Sequence, residues 1–156
     1  MGTASMLNSF VNALKKAIQD IMPALIDDNA TFELQPQAEY SDVAVQNEWN
    51  EVLAVTANVR ILMIYVTMVA ADEDIAIKVT IDGRTLEMTA ETLTFGIDYV
   101  AVLTGVAEPS MFTFKDSTAL PVPPLMLEGR SVKVEVRKTT ANGANTLTCR
   151  VLYAKR

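Results

Sequence analysis

The sequence predicts an all-β fold, an antiparallel β-sandwich of jelly-roll-like type with one N-terminal amphipathic α-helix. After residue 29, apolar and polar residues alternate with period 2 in a series of short runs separated by turn residues. No helical pattern of 10 to 15 residues separates these runs, which argues against repeated βαβ units. A helical period occurs only before residue 29. The length of 156 residues suits one domain of ordinary size.

The N-terminal helix is predicted within residues 1–28, and residues 29–156 are predicted to form a single sandwich domain. Apolar residues of the helix follow a 4-3 spacing, which places them on one stripe. Pro23 should end or kink the helix near Met22. The stripe suits either docking onto a sheet or a short coiled coil with other copies. The residues predicted to pack the helix are Leu7, Val11, Leu14, Ile18 and Ile21.

The clearest local prediction is a hairpin over residues 75–89, in which Asp82 and Gly83 form a two-residue turn. In the register that this turn implies, Lys78 and Glu87 form a cross-strand pair of opposite charge. A second hairpin, from residues 131–138 and 146–153, is predicted to close the chain. The register predicted for the first hairpin pairs Ile81 with Arg84, Thr80 with Thr85, Val79 with Leu86, Lys78 with Glu87 and Ile77 with Met88.

The middle of the chain has apolar side chains on both faces of its predicted strands. Residues 49–57 and 59–71 are predicted as two strands, and the run from residue 61 to 71 is almost wholly apolar. Full burial stabilises such a side chain by about 1.5–3 kcal/mol, so a bare second face would be costly. The cover is either the N-terminal helix or another subunit, and the sequence leaves both open. The predicted covered face consists of Leu62, Ile64, Val66 and Met68.

The charges are unevenly distributed along the chain, whose net charge is -6. Residues 129–156 contain seven basic residues and one acid, and the remaining residues contain six basic residues and 18 acids. A basic surface is predicted at Lys133, Arg137 and Arg150. The basic segment either neighbours acidic strands within one fold or meets an acidic surface of another subunit. Nucleic acid is not expected as a partner, because the overall pI is about 4.6 and exposed aromatics are not interleaved.

The composition removes most catalytic chemistry. There is no histidine, and the single cysteine, Cys149, alternates with apolar residues and is predicted to be a small buried hydrophobe. No glycine-rich phosphate loop and no nucleophile elbow occur, so no catalytic residue, cofactor or metal ligand is predicted and the chain is not expected to be an enzyme. The acids of residues 72–74 are interpreted as loop decoration, with a calcium site or paired-carboxylate catalysis as the minor alternatives.

No targeting or membrane segment is expected. The N-terminal segment has lysines in its middle and spaced apolar residues, unlike a signal peptide. The run from residue 61 to 71 is shorter than the about 20 residues that a spanning helix needs.

The organisation resembles small jelly-roll-like β-sandwich proteins of bacteriophage particles, such as head, decoration or spike subunits. The resemblance lies in the short helix, the sandwich poor in catalytic residues and the closing segments LEGRSVKVEVRK and NTLTCRVLYAKR. It implies a multi-copy structural role, often trimeric, with contacts to other virion or capsid proteins and location in the virion. No motif allows functional residues to be carried over.

The expected function is therefore a non-enzymatic structural or assembly protein, a phage-like virion subunit that forms homo-oligomers, with a trimer favoured. The alternative is a cytoplasmic carbohydrate- or ligand-binding module. Its candidate platform is Trp49, the only tryptophan, which lies between polar residues.

Overall fold

The structure is a computed structural model that describes Ser9, residues 11–14, Lys16 and residues 31–103, 112–118, 125–140 and 145–156. The chain divides into two compact units, Met1–Thr31 and Phe32–Arg156. The described residues between Ser9 and Lys16 are all helical, as expected for the N-terminal helix. The remainder of that predicted helix lies outside the described residues, and the predicted boundary at residue 28 stays a prediction.

The described part of the second unit is built from antiparallel strands in one hydrogen-bonded sheet, so the predicted all-β antiparallel class is confirmed. The main path of the sheet runs β1-β10-β3-β9-β4-β5. In addition β2 pairs with β10, β6 with β4, and β7 with both β3 and β8. The strands are β1 (Glu33–Leu34), β2 (Ala38–Val43), β3 (Asn50–Met68), β4 (Glu73–Ile81), β5 (Arg84–Glu87), β6 (Glu91–Leu93), β7 (Tyr99–Leu103), β8 (Phe112–Asp116), β9 (Leu127–Lys138) and β10 (Thr146–Lys155).

Strand β3 is one strand of 19 residues, where the sequence predicted two. Its first half pairs with β9, and its second half pairs with β10 and β7. Straight, it would span about 60 Å. Its two ends are nevertheless close, because residues 69–72 alone link it to β4, which lies next to β9. The strand must therefore bend, and its pairing with β9 shifts register between Thr56 and Val59.

The bend places the two halves of the sheet around one hydrophobic cluster. Leu53, Ile77 and Val134 enter this cluster from the half that contains β4 and β9. Ile64 and Val151 enter it from the half that contains β10. The halves thus bury their apolar faces together, although they belong to one continuous sheet and not to two separate sheets. The predicted two-layer sandwich and its jelly-roll likeness stay predictions.

A glycine allows close packing beside the bend. Gly129 of β9 pairs with Val59 of β3. A Cβ atom at Gly129 would collide with the side chain of Ile81 on β4. A glycine at this strand position therefore permits an approach that any larger residue would prevent.

The first predicted hairpin is confirmed residue by residue. Strands β4 and β5 pair Lys78 with Glu87, Val79 with Leu86, Thr80 with Thr85 and Ile81 with Arg84. The amide of Met88 donates to the carbonyl of Ile77 at 3.2 Å, as the register requires. Asp82 and Gly83 have φ values of 50° and 80°, the positive values that a type I′ turn needs.

The second predicted hairpin is wrong. Strands β9 and β10 are consecutive in the sequence, but β3 lies between them in the sheet. Each of them pairs with β3 on its own side. The turn-like sequence between them therefore leads from one half of the bent sheet to the other.

Candidate assembly surfaces

The helix exposes part of its predicted packing stripe. Val11 is 37% exposed and Leu14 is 50% exposed. The other predicted packing residues, Leu7, Ile18 and Ile21, lie outside the described residues. Large apolar side chains lose stabilisation when they remain in water, so this part of the stripe is available to another surface.

The face of β3 that was predicted to need a cover is buried within the second unit. Ile64, Val66 and Met68 are fully buried and belong to the hydrophobic cluster of the bent sheet, and Leu62 is half-buried. The sequence offered the helix or another subunit as the cover. The structure gives a third cover, the other half of the same sheet, because β3 bends.

The residues predicted as a basic surface are each paired with acids. Lys133 lies 2.8 Å from Glu135 and 3.6 Å from Glu51, measured from its Nζ atom to a carboxylate oxygen. Arg137 lies 3.4 Å from Glu87. These contacts follow from the register of β3, β9, β4 and β5, and they balance the positive charges of β9.

Arg150 lies apart from the other two predicted basic residues. It is on β10, in the other half of the sheet, and its Nε atom donates to Glu39 of β2 at 2.7 Å. Along β3, its neighbour Tyr65 is 11 residues from Ala54, the neighbour of Lys133. The structure therefore brings Lys133 and Arg137 onto one strand and does not bring Arg150 to them.

Glu135 is the centre of an ion network on the outer face of β9. Its carboxylate lies 2.9 Å from Lys78 and 2.8 Å from Lys133, and its side chain is only 11% exposed. Burial alone would raise the pKa of Glu135, but hydrogen bonds from the two lysines outweigh burial and lower it. The hydrogen bond to Glu135 in turn raises the pKa of Lys133. Lys78 thus binds Glu135, not its predicted partner Glu87, because β9 presents the more buried carboxylate.

Trp49, the candidate ligand platform, has cationic side chains over its ring. The Nζ atom of Lys78 lies 4.3 Å from the ring centroid, and the guanidinium carbon of Arg137 lies 4.5 Å from it. The ring is half-buried against the hydrophobic cluster. Trp49 therefore makes cation–π contacts within the chain at the site where a sugar ring would stack.

The acids of residues 72–74 hold neighbouring segments in place. Asp72 accepts a hydrogen bond from the amide of Phe95 at 3.0 Å, and Asp74 accepts one from the hydroxyl of Thr92. Glu73 is 1% exposed and opens β4, so its interpretation as loop decoration is wrong. No group of three or more potential metal-ligating side chains occurs within the described residues.

One end of the sheet exposes a group of large apolar side chains. Here the chain passes between the two halves four times, from β2 to β3, β3 to β4, β6 to β7 and β9 to β10. We call this the crossover end and define it by residues 42–48, 69–74, 94–98 and 138–140. Its exposed apolar residues are Val43 (44%), Val45 (62%), Val69 (64%) and Phe95 (52%).

Strand pairing brings these apolar residues to neighbouring positions. Thr146 pairs with Val43 on one side and accepts a hydrogen bond from the amide of Val69 on the other. The amide of Gly96, next to Phe95, donates to the carbonyl of Met68, next to Val69. Val43, Val69 and Phe95 thus come from three distant stretches of sequence to one end of the sheet.

A buried asparagine organises the crossover end. Asn145 is 1% exposed, and its Oδ1 atom accepts hydrogen bonds from the amides of Val69 (3.2 Å) and Ala70 (2.8 Å). Its Nδ2 atom donates to the carbonyl of Ala71 at 2.6 Å and to Glu73 at 3.4 Å. These bonds fix the backbone on which Val69 is exposed.

Cys149 is buried in the hydrophobic cluster, as predicted. Burial raises the pKa of its thiol to about 12. A thiol with that pKa is not ionised at neutral pH and is a poor nucleophile.

The crossover end was missed by the sequence reasoning. Val69 falls within the predicted strand of residues 59–71, so it was not expected in a connection. The available signal was local: Val69 precedes Ala70-Ala71-Asp72, and Phe95 precedes Gly96, which has a φ of 75°. The clustering itself depends on strand pairs that are distant in the sequence.

Comparisons with known proteins give few matches. No protein-family model matches the chain, and no curated protein matches it. The chain is similar to a solved structure described as the acidic stable capsid structure of Helicobacter pylori bacteriophage KHP30. That likeness has a TM-score of 0.37 and 15% sequence identity, and it covers 80% of this chain and 90% of the other. Within the described residues, no helix is long and apolar enough to cross a membrane.

We expect Glu135→Gln to lower the free energy of unfolding at pH 7 by about 1–3 kcal/mol, because the amide cannot replace a charged partner of two lysines. The folded-state pKa of Glu135 is lowered, so its contribution is present at neutral pH and is lost as the pH falls through that pKa. The stability difference between wild type and variant should therefore narrow below about pH 4. Urea unfolding across a pH series measures it.

The matched control is Glu39→Gln, which removes an ion pair whose two side chains are each 45% exposed. Its cost should stay within about 1 kcal/mol at pH 7. Equal losses of unfolding free energy from the two substitutions would show that burial of the Glu135 network adds nothing to stability.

We expect Asn145→Ala to lower the free energy of unfolding by about 1–3 kcal/mol, because it leaves the Ala70 amide without its acceptor and leaves the Val69 amide only the carbonyl of Thr146. Hydrogen exchange of the Val69 and Ala70 amides should also become faster. Asn58→Ala, at an exposed position, serves as the control and should change stability by about 0.5 kcal/mol or less. Unchanged exchange at Val69 and Ala70 would contradict the role given to Asn145.

Proposed function

We propose that this chain is a non-enzymatic structural subunit of a phage-like virion, which acts through self-association and through docking to other virion proteins. The observation that carries the proposal is the exposure of Val11 and Leu14 on the heptad stripe of the N-terminal helix. A helix that repeats apolar residues every three and four positions buries them most fully against further copies of itself.

The breadth of the stripe favours more than two helices. With Val11 at an a position, Leu7 and Leu14 fall at d, which suits two helices, whereas Ile18 at a and Ile21 at d suit three or more. Phe10 and Ala17 fall at g positions and widen the apolar face. A wider face can contact two neighbouring helices, which supports a trimer.

The chemistry of the described side chains supports a structural role. Of the carboxylates that the sequence left as candidates for catalysis or calcium, Asp72 and Glu73 bind backbone and side-chain groups of the crossover end. Trp49 and the ion network around Glu135 likewise make their contacts within the sheet. Polar groups used in this way stabilise the fold and leave surfaces as the route to other molecules.

The virion assignment takes up the architectural resemblance described from the sequence. A short helix followed by a compact antiparallel domain without a catalytic constellation is the arrangement that resembles head, decoration or spike subunits. We place the protein in the virion for the same reason, where many copies contact each other and neighbouring capsid proteins.

We expect Val11→Asp combined with Leu14→Asp to lower the mass in solution below that of wild type at the same protein concentration, because the helices no longer associate. Two charges on the stripe would have to be buried without partners in any helix bundle. Light scattering over a concentration series measures the mass.

The control is Ser9→Asp combined with Asn12→Asp, which adds the same charge at exposed positions off the stripe. It should retain the oligomer. A wild-type chain that is monomeric at all concentrations, or a control that dissociates equally, would contradict the helix as the association element.

We expect peptide mass spectrometry of particles purified from a culture that produces this protein to recover it in many copies per particle. A structural subunit must be present in fixed proportion to the other particle proteins. Recovery only from the particle-free fraction would contradict the virion role.

A further inference from the structure

The two ends of the bent sheet carry opposite charge. We call the end at which β3 bends the bend end and define it by residues 32–34, 56–60, 82–84, 126–131 and 154–156. These residues include five bases and three acids. The residues of the crossover end include six acids and one base, Lys138, which is buried. Both halves of the sheet run between these ends, so the opposite charges lie a strand length apart.

Each end also exposes large apolar side chains. The crossover end exposes Val45, Val69 and Phe95 by more than half. At the bend end, Leu34 is 65% exposed and Met126 is 51% exposed. Exposed apolar groups surrounded by charge are typical of surfaces that bind other proteins.

The backbone of the bend end is fixed by side chains, as at the crossover end. Asp82 accepts hydrogen bonds from the amides of Arg130 and Ser131, both at 2.8 Å. Arg60 forms a 2.8 Å ion pair with Glu128 and lies 4.2 Å from the ring centroid of Phe32. Surfaces that are already ordered lose less conformational freedom on binding.

We propose that the crossover end of one copy docks on the bend end of a second copy. Apolar side chains from both ends become buried in this contact, and exposed bases such as Arg84 and Arg130 meet exposed acids such as Asp42 and Glu48. A second copy is the occupant because one chain carries both complementary surfaces.

This contact deepens the proposed assembly function and uses surfaces separate from the helix stripe. It joins two different surfaces, so it is heterologous and repeats until a ring closes or a column grows. Helix association alone gives a closed oligomer. The two contacts together would let oligomers connect into a larger array.

The test uses the full chain with Val11→Asp and Leu14→Asp, the parent, so that the helix stripe does not contribute. A crossover variant adds Val69→Lys and Phe95→Lys, and a bend variant adds Arg84→Glu and Arg130→Glu. All four of these residues are exposed. By light scattering, each variant alone should have the mass of a monomer, and an equimolar mixture should double that mass without growing further. The single intact pair of ends in the mixture permits a dimer only.

The outcomes are distinct. A mixture that keeps the monomer mass overturns the proposal, whether the ends bind other partners or nothing. Association of either variant with itself would show a like-to-like contact and would also overturn the proposal.

The control adds Lys115→Glu and Arg150→Glu to the parent. These substitutions change the net charge by the same amount as the bend variant, but at positions outside both ends, so the control should associate as the parent does. If the crossover variant does not fold, Val45→Lys replaces it. The helix proposal is tested separately, by comparing the mass in solution of the parent with that of wild type. Equal masses would contradict the helix proposal and leave the test of the two ends unaffected.

Discussion

The bend in β3 is the constraint on which the rest of the structure depends. It lets one strand serve both halves of the sheet, so Leu53 and Ile64 of the same strand enter one hydrophobic cluster from opposite sides. It also explains the apolar run that the sequence left without a cover. The core-facing residues Ile64 and Val66 are buried by the other half of the sheet, while the outer face of this region, at Met63 and Tyr65, stays half-buried.

The features that sequence predicted well are those whose determinants are local. In the hairpin of β4 and β5, the turn residues Asp82 and Gly83 and the alternation on both faces specify the register together. The predicted pairing of β9 with β10 was wrong because a turn-like sequence also suits a connection between the two halves of the sheet. Both strands pair with β3, which lies between them. Lys78 shows the same effect on a smaller scale. Its cross-strand position was right, but its ion pair forms with Glu135 on a strand that the local pattern does not include.

The candidate surfaces also differ in how far local sequence predicts them. The helix stripe can be read from spacing alone, and its two described members, Val11 and Leu14, are exposed. The crossover end could not be read from spacing. Its apolar residues come from three connections, and its organiser, Asn145, follows a turn-like sequence in which an asparagine is expected for purely local reasons. Only the three-dimensional arrangement shows that this side chain binds the backbone beneath Val69.

The uneven distribution of charge along the sequence becomes, in the folded chain, a difference between the faces of the sheet and its two ends. On the faces of the sheet, bases of the last segment meet acids of earlier strands: Lys133 with Glu51, Arg137 with Glu87 and Arg150 with Glu39. These pairs balance charge along the strands, and exposed pairs of this kind contribute little stability each.

The charge imbalance that remains in the sheet is therefore found at the strand ends. The end where the connections cross is acidic, and the end where β3 bends is basic. A field arranged along one axis orients identical molecules head to tail as they approach, and it weakens as salt shortens the screening length. Ion pairs thus neutralise the faces of the sheet, and the two ends keep the opposite net charges that can orient an approaching copy.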